Sequence, residues 1–335
     1  MKRVWGVIAV FFFISTASAR LEKYFKYAGV YPERVRIQSE GGISSPQMLT
    51  REGVLYRKPG ARATVLVCHG FMCSVADVKF LRSLFDKYNV MFFDFRAHGE
   101  HADKQCCTFG RDEAYDVKAA VDFIRSDREL SALPLISYAF SMGAVSCMNA
   151  QARFGGLFDC AVWDCPFEST EDLLARSISN LEFSFMGQQF ALPGRRFLKK
   201  FAYNQYVQEV LKWLLKTVAN IDAAQIPTRV VPLDNVAAAQ KVFVPTFYIT
   251  CKKDAKAPPA AVRRLYEATS GFKRLWITNG RHHFDSFFYD PDVYAYRVSH
   301  FIEKFLNKQC SGDSTVVRPR EKIVVDGDIW GEASI

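Results

Sequence analysis

Ser141 lies between Ala139 and Gly143 in the stretch Tyr138-Ala139-Phe140-Ser141-Met142-Gly143, where an apolar run gives way to small residues. Serine alone is a weak nucleophile. To attack a carbonyl it needs a base within hydrogen-bond reach, an acid that orients the base, and donors for the developing oxyanion. The chain offers candidates for each. His283, selected by counting three from Gly280, is the preferred base, and His282, selected by a His-x-Phe reading, is the alternative, otherwise expected to support it or to be exposed. Asp254, in Lys252-Lys253-Asp254, is the preferred acid, and Asp164, at the end of Cys160-Ala161-Val162-Trp163-Asp164, is its rival. The donors are the backbone N–H groups of Phe71, in His69-Gly70-Phe71-Met72, and of Met142. His69 precedes its loop and is read as structural rather than as the base. Together these residues could carry out acyl transfer through an acyl-enzyme.

Such residues work only if separate elements deliver them to one place. Short apolar runs at Thr64–Cys68, Asn89–Phe95, Leu135–Phe140, Cys160–Asp164, Thr246–Cys251 and Arg274–Thr278 predict buried strands. Helical periods lie between them. In Glu113–Arg125, Val117, Ala120, Val121 and Ile124 share a face, and Val75–Tyr88 is also read as helix. Alternating strands and helices imply parallel pairing through right-handed crossovers, hence an α/β fold with a mostly parallel central sheet flanked by helices. Such a sheet gathers its loops at the strands' C-terminal ends. Each of Phe71, Ser141, Asp254 and the histidine pair follows a separate predicted strand, in the order Ser, Asp, His.

The remaining segments frame this domain. Arg34–Arg57, with Gly41-Gly42 inside it, predicts an antiparallel hairpin. Residues 170–241 are too long for one crossover and read as a helical cap insertion without a strand, rich in Phe and Leu and including Trp213. A closing helix from Asp290-Pro291 places Tyr294, Val298, Phe301, Ile302 and Phe305 on one stripe. The polar residues 311–335 read as a disordered tail or a surface strand.

Several stretches resemble the α/β-hydrolase superfamily, in its branch of esterases, lipases and serine aminopeptidases, over most of Tyr56–Leu306. "VLVCHGF" resembles the family's strand and oxyanion loop, and "DFRAHGEH" (Asp94–His101) its Asp-x-Arg-Gly-His-Gly segment. "TFGRDEAYDVKAAVDFI" resembles its Gly-x-x-Glu-x-x-Asp helix start, and "DCPFES" the segment after the sixth strand. The resemblance implies that Asp94, Arg96 and His98 are architectural. Ala139 and Ala97 stand where the family usually has Gly, and neither change removes a catalytic group.

Composition is that of an ordinary globular protein. The 335 residues are 49% hydrophobic and 24% charged, enough for a substantial core. Lys2 and Arg3, the apolar run Val4–Ile14 and Ala17-Ser18-Ala19 form a signal peptide over residues 1–19, too short for a bilayer span, so a periplasmic or secreted location is expected. Residues 20–310 then form the hydrolase domain. Removing Lys2 and Arg3 takes the net charge from +9 to +7, spread among acids, so no nucleic-acid partner is expected. The densest basic patch, Arg195, Arg196, Lys199 and Lys200 with Phe197 and Phe201, is read as a solvated helix face that could touch anionic lipid.

Nine cysteines are an odd number, and Cys68, Cys147, Cys160 and Cys251 lie in predicted core elements, like small hydrophobes rather than a disulfide framework. Cys73 and Cys106-Cys107 lie in predicted loops, free to pair or react. No Gly-rich nucleotide loop or Cys/His zinc spacing occurs, so no cofactor or metal is expected. The expected activity is hydrolysis of an ester or acyl-lipid. The alternatives are a peptidase or amidase, an acyltransferase, or a binding protein on the same scaffold.

Overall fold

The computed structural model describes residues 32–42, 47–100, 102, 105–179, 182–185, 188–191, 195–218, 226–311 and 322–326. The expected leader over residues 1–19 lies outside them. β1 (Glu33–Glu40) and β2 (Met48–Tyr56) form the expected antiparallel hairpin, in register from Glu33 opposite Leu55 to Glu40 opposite Met48. In β1 every second residue from Val35 is buried, the alternation of a strand with one solvated face. β3 (Thr64–Cys68), β4 (Asn89–Phe93), β5 (Leu135–Phe140) and β6 (Cys160–Asp164) are buried at every position, as parallel strands covered on both sides must be.

β9 (Thr246–Cys251) and β10 (Lys273–Thr278) complete the predicted strands, and β11 (Lys322–Val325) adds a ninth. The order is β1-β2-β4-β3-β5-β6-β9-β10-β11, with β2 antiparallel to both neighbours and all other pairs parallel. Part of the polar tail is therefore a strand on the sheet's edge. Register aligns the strand ends that matter: Cys68 lies opposite Ala139, Phe140 opposite Asp164, and Cys251 opposite Thr278. The chain leaves β3 for β4 on one side and reaches β5 on the other, so the loops after β3 and β5 flank a switch point of the sheet.

Helices cover the sheet. α1 (Val75–Val78) is short and continues as a 3₁₀ stretch, Lys79–Phe85, in place of the single helix expected over Val75–Tyr88. It buries Phe80, Leu81, Leu84 and Phe85. α2 (Glu113–Ser126) buries Val117, Ala120, Val121 and Ile124 as its period predicts. α3 (Met142–Phe154) follows Ser141 and is buried along most of its length.

The segment after β6 holds α4 (Thr170–Ser179), β7 (Glu182–Phe185), β8 (Gln188–Ala191), α5 (Arg195–Lys200), α6 (Gln205–Val218) and α7 (Asn235–Ala239). The expectation of a strand-free insertion over 170–241 is corrected: β7 and β8 form an antiparallel ladder. Within this segment Ile178, Leu198 and Ala202 make a small core of their own, separate from the main one. α8 (Pro259–Ala268), α9 (Ser286–Tyr289) and α10 (Pro291–Ser311) complete the fold. In α10, Tyr294, Val298, Phe301 and Ile302 are buried.

Arg96 ties the edge hairpin to the sheet and to α2. Its side chain is fully buried and donates to Asp116 at 2.8 and 3.0 Å and to the carbonyls of Glu40 and Gly41 at 2.7 Å each. Ser39 also donates to Asp116, at 2.5 Å. A buried carboxylate left without its guanidinium is costly. Arg96→Met is therefore expected to lower unfolding free energy by about 3–5 kcal/mol, read from urea denaturation. A change below 1 kcal/mol would show that the network holds nothing together.

Candidate active site

Ser141 is reached by a turn that ordinary residues avoid. Its φ is +52° and ψ −123°, between the last residue of β5 and the first of α3. The conformation is fixed from both sides. The Ser141 N–H donates to the Asp164 carbonyl at 2.9 Å, and its carbonyl accepts from Val145 N–H at 3.2 Å. Gly143 permits the close approach beneath: a Cβ there would lie 2.4 Å from the Cys68 carbonyl oxygen and 2.5 Å from that of His69. Ala139, where the family usually has Gly, is buried without distorting β5. Ala97, the other substitution, has φ +63°, so this chain keeps a left-handed turn there without a glycine.

The structure brings Ser141, His283 and Asp254 into one hydrogen-bonded line. Ser141 Oγ is 2.7 Å from His283 Nε2, and His283 Nδ1 is 2.8 Å from Asp254 Oδ2. Asp254 is itself anchored, its Oδ1 accepting from the N–H groups of Lys256 at 2.8 Å and Ala257 at 2.9 Å. Burial opposes its charge. The His283 hydrogen bond and charge and the two amides outweigh that, and the carboxyl sits below its ordinary value. An ionised Asp254 only accepts, so Nδ1 carries the ring proton and Nε2 is free to accept from the Ser141 hydroxyl.

The alternatives are placed elsewhere. His282 is exposed, while His283 is half-buried and meets the serine. Phe284, stacked on Phe140 with ring centroids 3.8 Å apart and with φ +59°, sets which of the two histidines faces inward. Asp164 does not reach the imidazole. Its Oδ2 accepts from the Tyr294 hydroxyl at 2.9 Å, and that hydroxyl lies 2.8 Å from the hydroxyl of Tyr138.

The loop after β3 lies against the same turn. A Cβ on Gly70 would be 2.8 Å from the Phe140 ring and 3.4 Å from Ser141 Cβ. The N–H groups of Phe71 and Met142 make no hydrogen bond to other described residues. Two neutral histidines support the loop. His69 Nε2 accepts from Phe95 N–H at 3.1 Å and its Nδ1 donates to the Gly70 carbonyl at 2.8 Å. His98 Nε2 accepts from Met72 N–H at 3.2 Å and its Nδ1 donates to the Arg96 carbonyl at 2.8 Å. Burial lowers both pKa values, His69 to about 3, consistent with these neutral tautomers. Asp94 Oδ1 accepts from Val75 N–H at 2.7 Å. Asp94, Arg96 and His98 thus brace the loop.

Sequence reasoning missed Cys165. Its Sγ is 3.8 Å from His283 Nε2, and its φ is +44°. The only signal was its place directly after β6, next to Asp164. Cys107, expected in a loop where it could pair, is instead fully buried with Sγ 3.4 Å from Met142 Sδ. Burial raises the Cys165 and Cys107 thiols well above the usual range and Cys73 to about 11, so none is primed as a thiolate. Cys68, Cys147, Cys160 and Cys251 are buried and free, as their positions predict.

Asp164 carries a pH signature that separates it from Asp254. Burial pushes its pKa up to about 7, with Tyr294 opposing and the charge of Asp254 adding. The folded state therefore holds a proton that the unfolded chain releases near pH 4. Stability from this group falls as pH rises from about 4 to about 7 and levels above. Asp164→Asn is expected to gain stability relative to the parent across that window, measured as urea midpoints at a series of pH values. A constant difference between the two proteins would contradict the assignment.

Comparison with known proteins agrees with this architecture. YqkD of Bacillus subtilis (strain 168), an uncharacterized protein, is 26% identical over 243 residues, 72% of this chain and 71% of its own. The esterase Pf2001 of Pyrococcus furiosus matches with a TM-score of 0.60 at 21% identity, over 83% of this chain and 93% of that one. The peroxisomal alpha-beta-hydrolase Lpx1 of Saccharomyces cerevisiae matches with a TM-score of 0.56 at 14% identity, over 84% and 90%. At these identities the two structures speak for the fold alone. The sequence model of the alpha/beta hydrolase family matches residues 65–297. With a mostly parallel sheet, a strained serine turn after β5 and a match over most of its length, the chain belongs to the alpha/beta hydrolase family.

Proposed function

We propose that the protein is a serine hydrolase that cleaves carboxylic esters, acyl-lipid esters among them. The observation that carries this reading is the continuous link from Ser141 through His283 to Asp254, with contacts of 2.7 and 2.8 Å. His283 Nε2 takes the hydroxyl proton as Ser141 Oγ bonds to the ester carbonyl carbon. Asp254 holds the ring in the required tautomer and stabilises the imidazolium. The oxyanion turns to the amides of Phe71 and Met142, whose N–H groups have no partner among the described residues. The tetrahedral intermediate collapses, the ester C–O bond breaks, and His283 returns the proton to the leaving alkoxide. Water repeats the sequence on the acyl-enzyme, releasing the acid and restoring Ser141.

Acyl-lipid substrates are supported by the outer surface of α5 and α6, where Phe197, Phe201, Tyr206 and Trp213 are exposed beside Arg196 and Lys200. Aromatic rings interleaved with cations suit an interface with anionic headgroups.

A fluorophosphonate probe should label the wild type at Ser141 and leave Ser141→Ala unlabelled. On a short-chain aryl ester, Ser141→Ala and His283→Ala should each lower kcat/KM on the order of 10³-fold or more, and Asp254→Asn by a comparable factor. His282→Ala should stay within a few-fold of wild type. Absence of labelling at Ser141 in folded protein, or a larger loss at His282 than at His283, would overturn the reading.

A further inference from the structure

α5 and α6 each present an inward and an outward row of side chains. Leu198 and Ala202 of α5 are buried against Ile178 of α4, with Val207 of α6 packed beside them. Gln208 is buried too, exchanging hydrogen bonds of 2.8 and 3.1 Å with the backbone of Val230. At 3.6 residues per turn, these anchors turn Phe197 and Phe201 outward on α5, and Tyr206, Val210 and Trp213 outward on α6. Tyr206 is 83% exposed, Trp213 62% and Phe197 59%. A lone exposed ring needs no explanation, but these adjoin. The Phe197 and Phe201 rings lie 4.7 Å apart. Phe201 and Tyr206 flank a short turn, where the Asn204 side chain accepts from the N–H groups of Tyr206 and Val207 at 2.9 and 3.3 Å.

Charge collects on the same two helices. Residues 195–218 contain six lysines and arginines and one acid, so 24 of 335 residues carry +5 of the net +9. Arg196 and Lys200, four residues apart, are exposed in a row beside the phenylalanines, and Lys200 Nζ is 5.7 Å from the centre of the Phe201 ring. The one acid, Glu209, is held by Lys212 at 2.7 Å. On α4, Asp172 is engaged by Ser169 and lies 3.6 Å from Arg264, which leaves Glu171 as the exposed acid of that helix.

We propose that the outer face of α5 and α6 docks the protein onto an anionic phospholipid bilayer, its rings entering the headgroup region and its cations meeting the phosphates. Trp and Tyr join an apolar body to a polar tip, which suits them to that boundary, and lysines and arginines near an anionic surface each add attraction. Docking needs no working Ser141. That the bilayer also presents the substrate, an acyl-lipid, rests on the serine-hydrolase reading.

The test is co-sedimentation of the full chain with vesicles of phosphatidylcholine, alone or mixed equally with phosphatidylserine. Binding should be about tenfold or more tighter on the anionic vesicles and should weaken in high salt. Arg196→Glu with Lys200→Glu should weaken it about tenfold or more, and Phe197→Ser with Phe201→Ser by a comparable factor. The apolar run Val4–Ile14 is common to every variant, so the readout is the ratio to wild type. Ser141→Ala should bind as wild type does. Circular dichroism establishes that each variant is folded, and if a pair on α5 is not, Tyr206→Ser with Trp213→Ser decides. Equal affinity for the two vesicle types, or wild-type affinity in a folded double variant, would overturn the proposal. So would loss of binding in Ser141→Ala, which would assign it to the active site. A dimer in light scattering that the phenylalanine variant returns to monomer would also overturn it, because the face would then belong to a second copy. None of these outcomes touches fluorophosphonate labelling of Ser141.

Discussion

The reacting groups depend on one close approach, that of the start of α3 to the end of β3. The carbonyl oxygens of Cys68 and His69 occupy space within 2.5 Å of where a side chain at residue 143 would begin. Only glycine allows this without displacing backbone. The approach presses the Met142 amide and the Phe71 loop toward the same point and leaves Ser141 no route but the left-handed turn. The 2.7 Å contact to His283 is then a consequence of where β5 stops and α3 starts. Overpacking at this point would typically cost about 1–3 kcal/mol, and it would move both amide groups together.

Around that contact the protein buries polar groups that act as fixed donors and acceptors rather than as charges. His69 and His98 are neutral and each bridges two backbone groups, so the loop after β3 keeps its shape across the physiological pH range. Arg96 is the buried cation that makes this possible, because its carbonyl orients His98 while its guanidinium holds Asp116. One chain of bonds therefore runs from the edge hairpin through Arg96 and His98 to Met72, next to the amide of Phe71. The edge strands, remote in sequence from Ser141, contribute to the rigidity of its surroundings.

Much of this was legible in the residues. The strand runs match the observed strands closely because parallel strands buried on both faces leave continuous apolar stretches, and the Ser, Asp, His order follows from loops gathered at one sheet end. The preference for His283 over His282 rests on a count from Gly280 alone, because adjacent residues in a loop carry no period. The choice is set by Phe284 stacking on Phe140, a contact between distant segments. Cys165 escaped for a similar reason: its proximity to His283 depends on the turn after β6, not on any spacing. β7 and β8 lie in short polar-aromatic sequence that reads equally well as helix, and β11 in a tail whose pairing with β10 decides its conformation.

Non-glycine residues with positive φ follow a pattern. Met72, Ala97, Phe109, Ser141, Cys165 and Phe284 have φ between +44° and +63°, and each lies in a loop that follows a parallel strand. Such conformations cost of order 1 kcal/mol or more each and persist only where the surroundings over-determine them. Here the sheet contributes, since its registers fix the strand end from which each loop leaves. Asp254 is the exception among the aligned residues. Its loop has no left-handed residue and is fixed instead by two amides donating to one carboxylate oxygen, which leaves the other oxygen for His283. The serine is thus positioned by backbone strain and the acid by hydrogen bonds. The imidazole between them is anchored at Nδ1 by the acid, and Nε2 is left to exchange a proton with the serine.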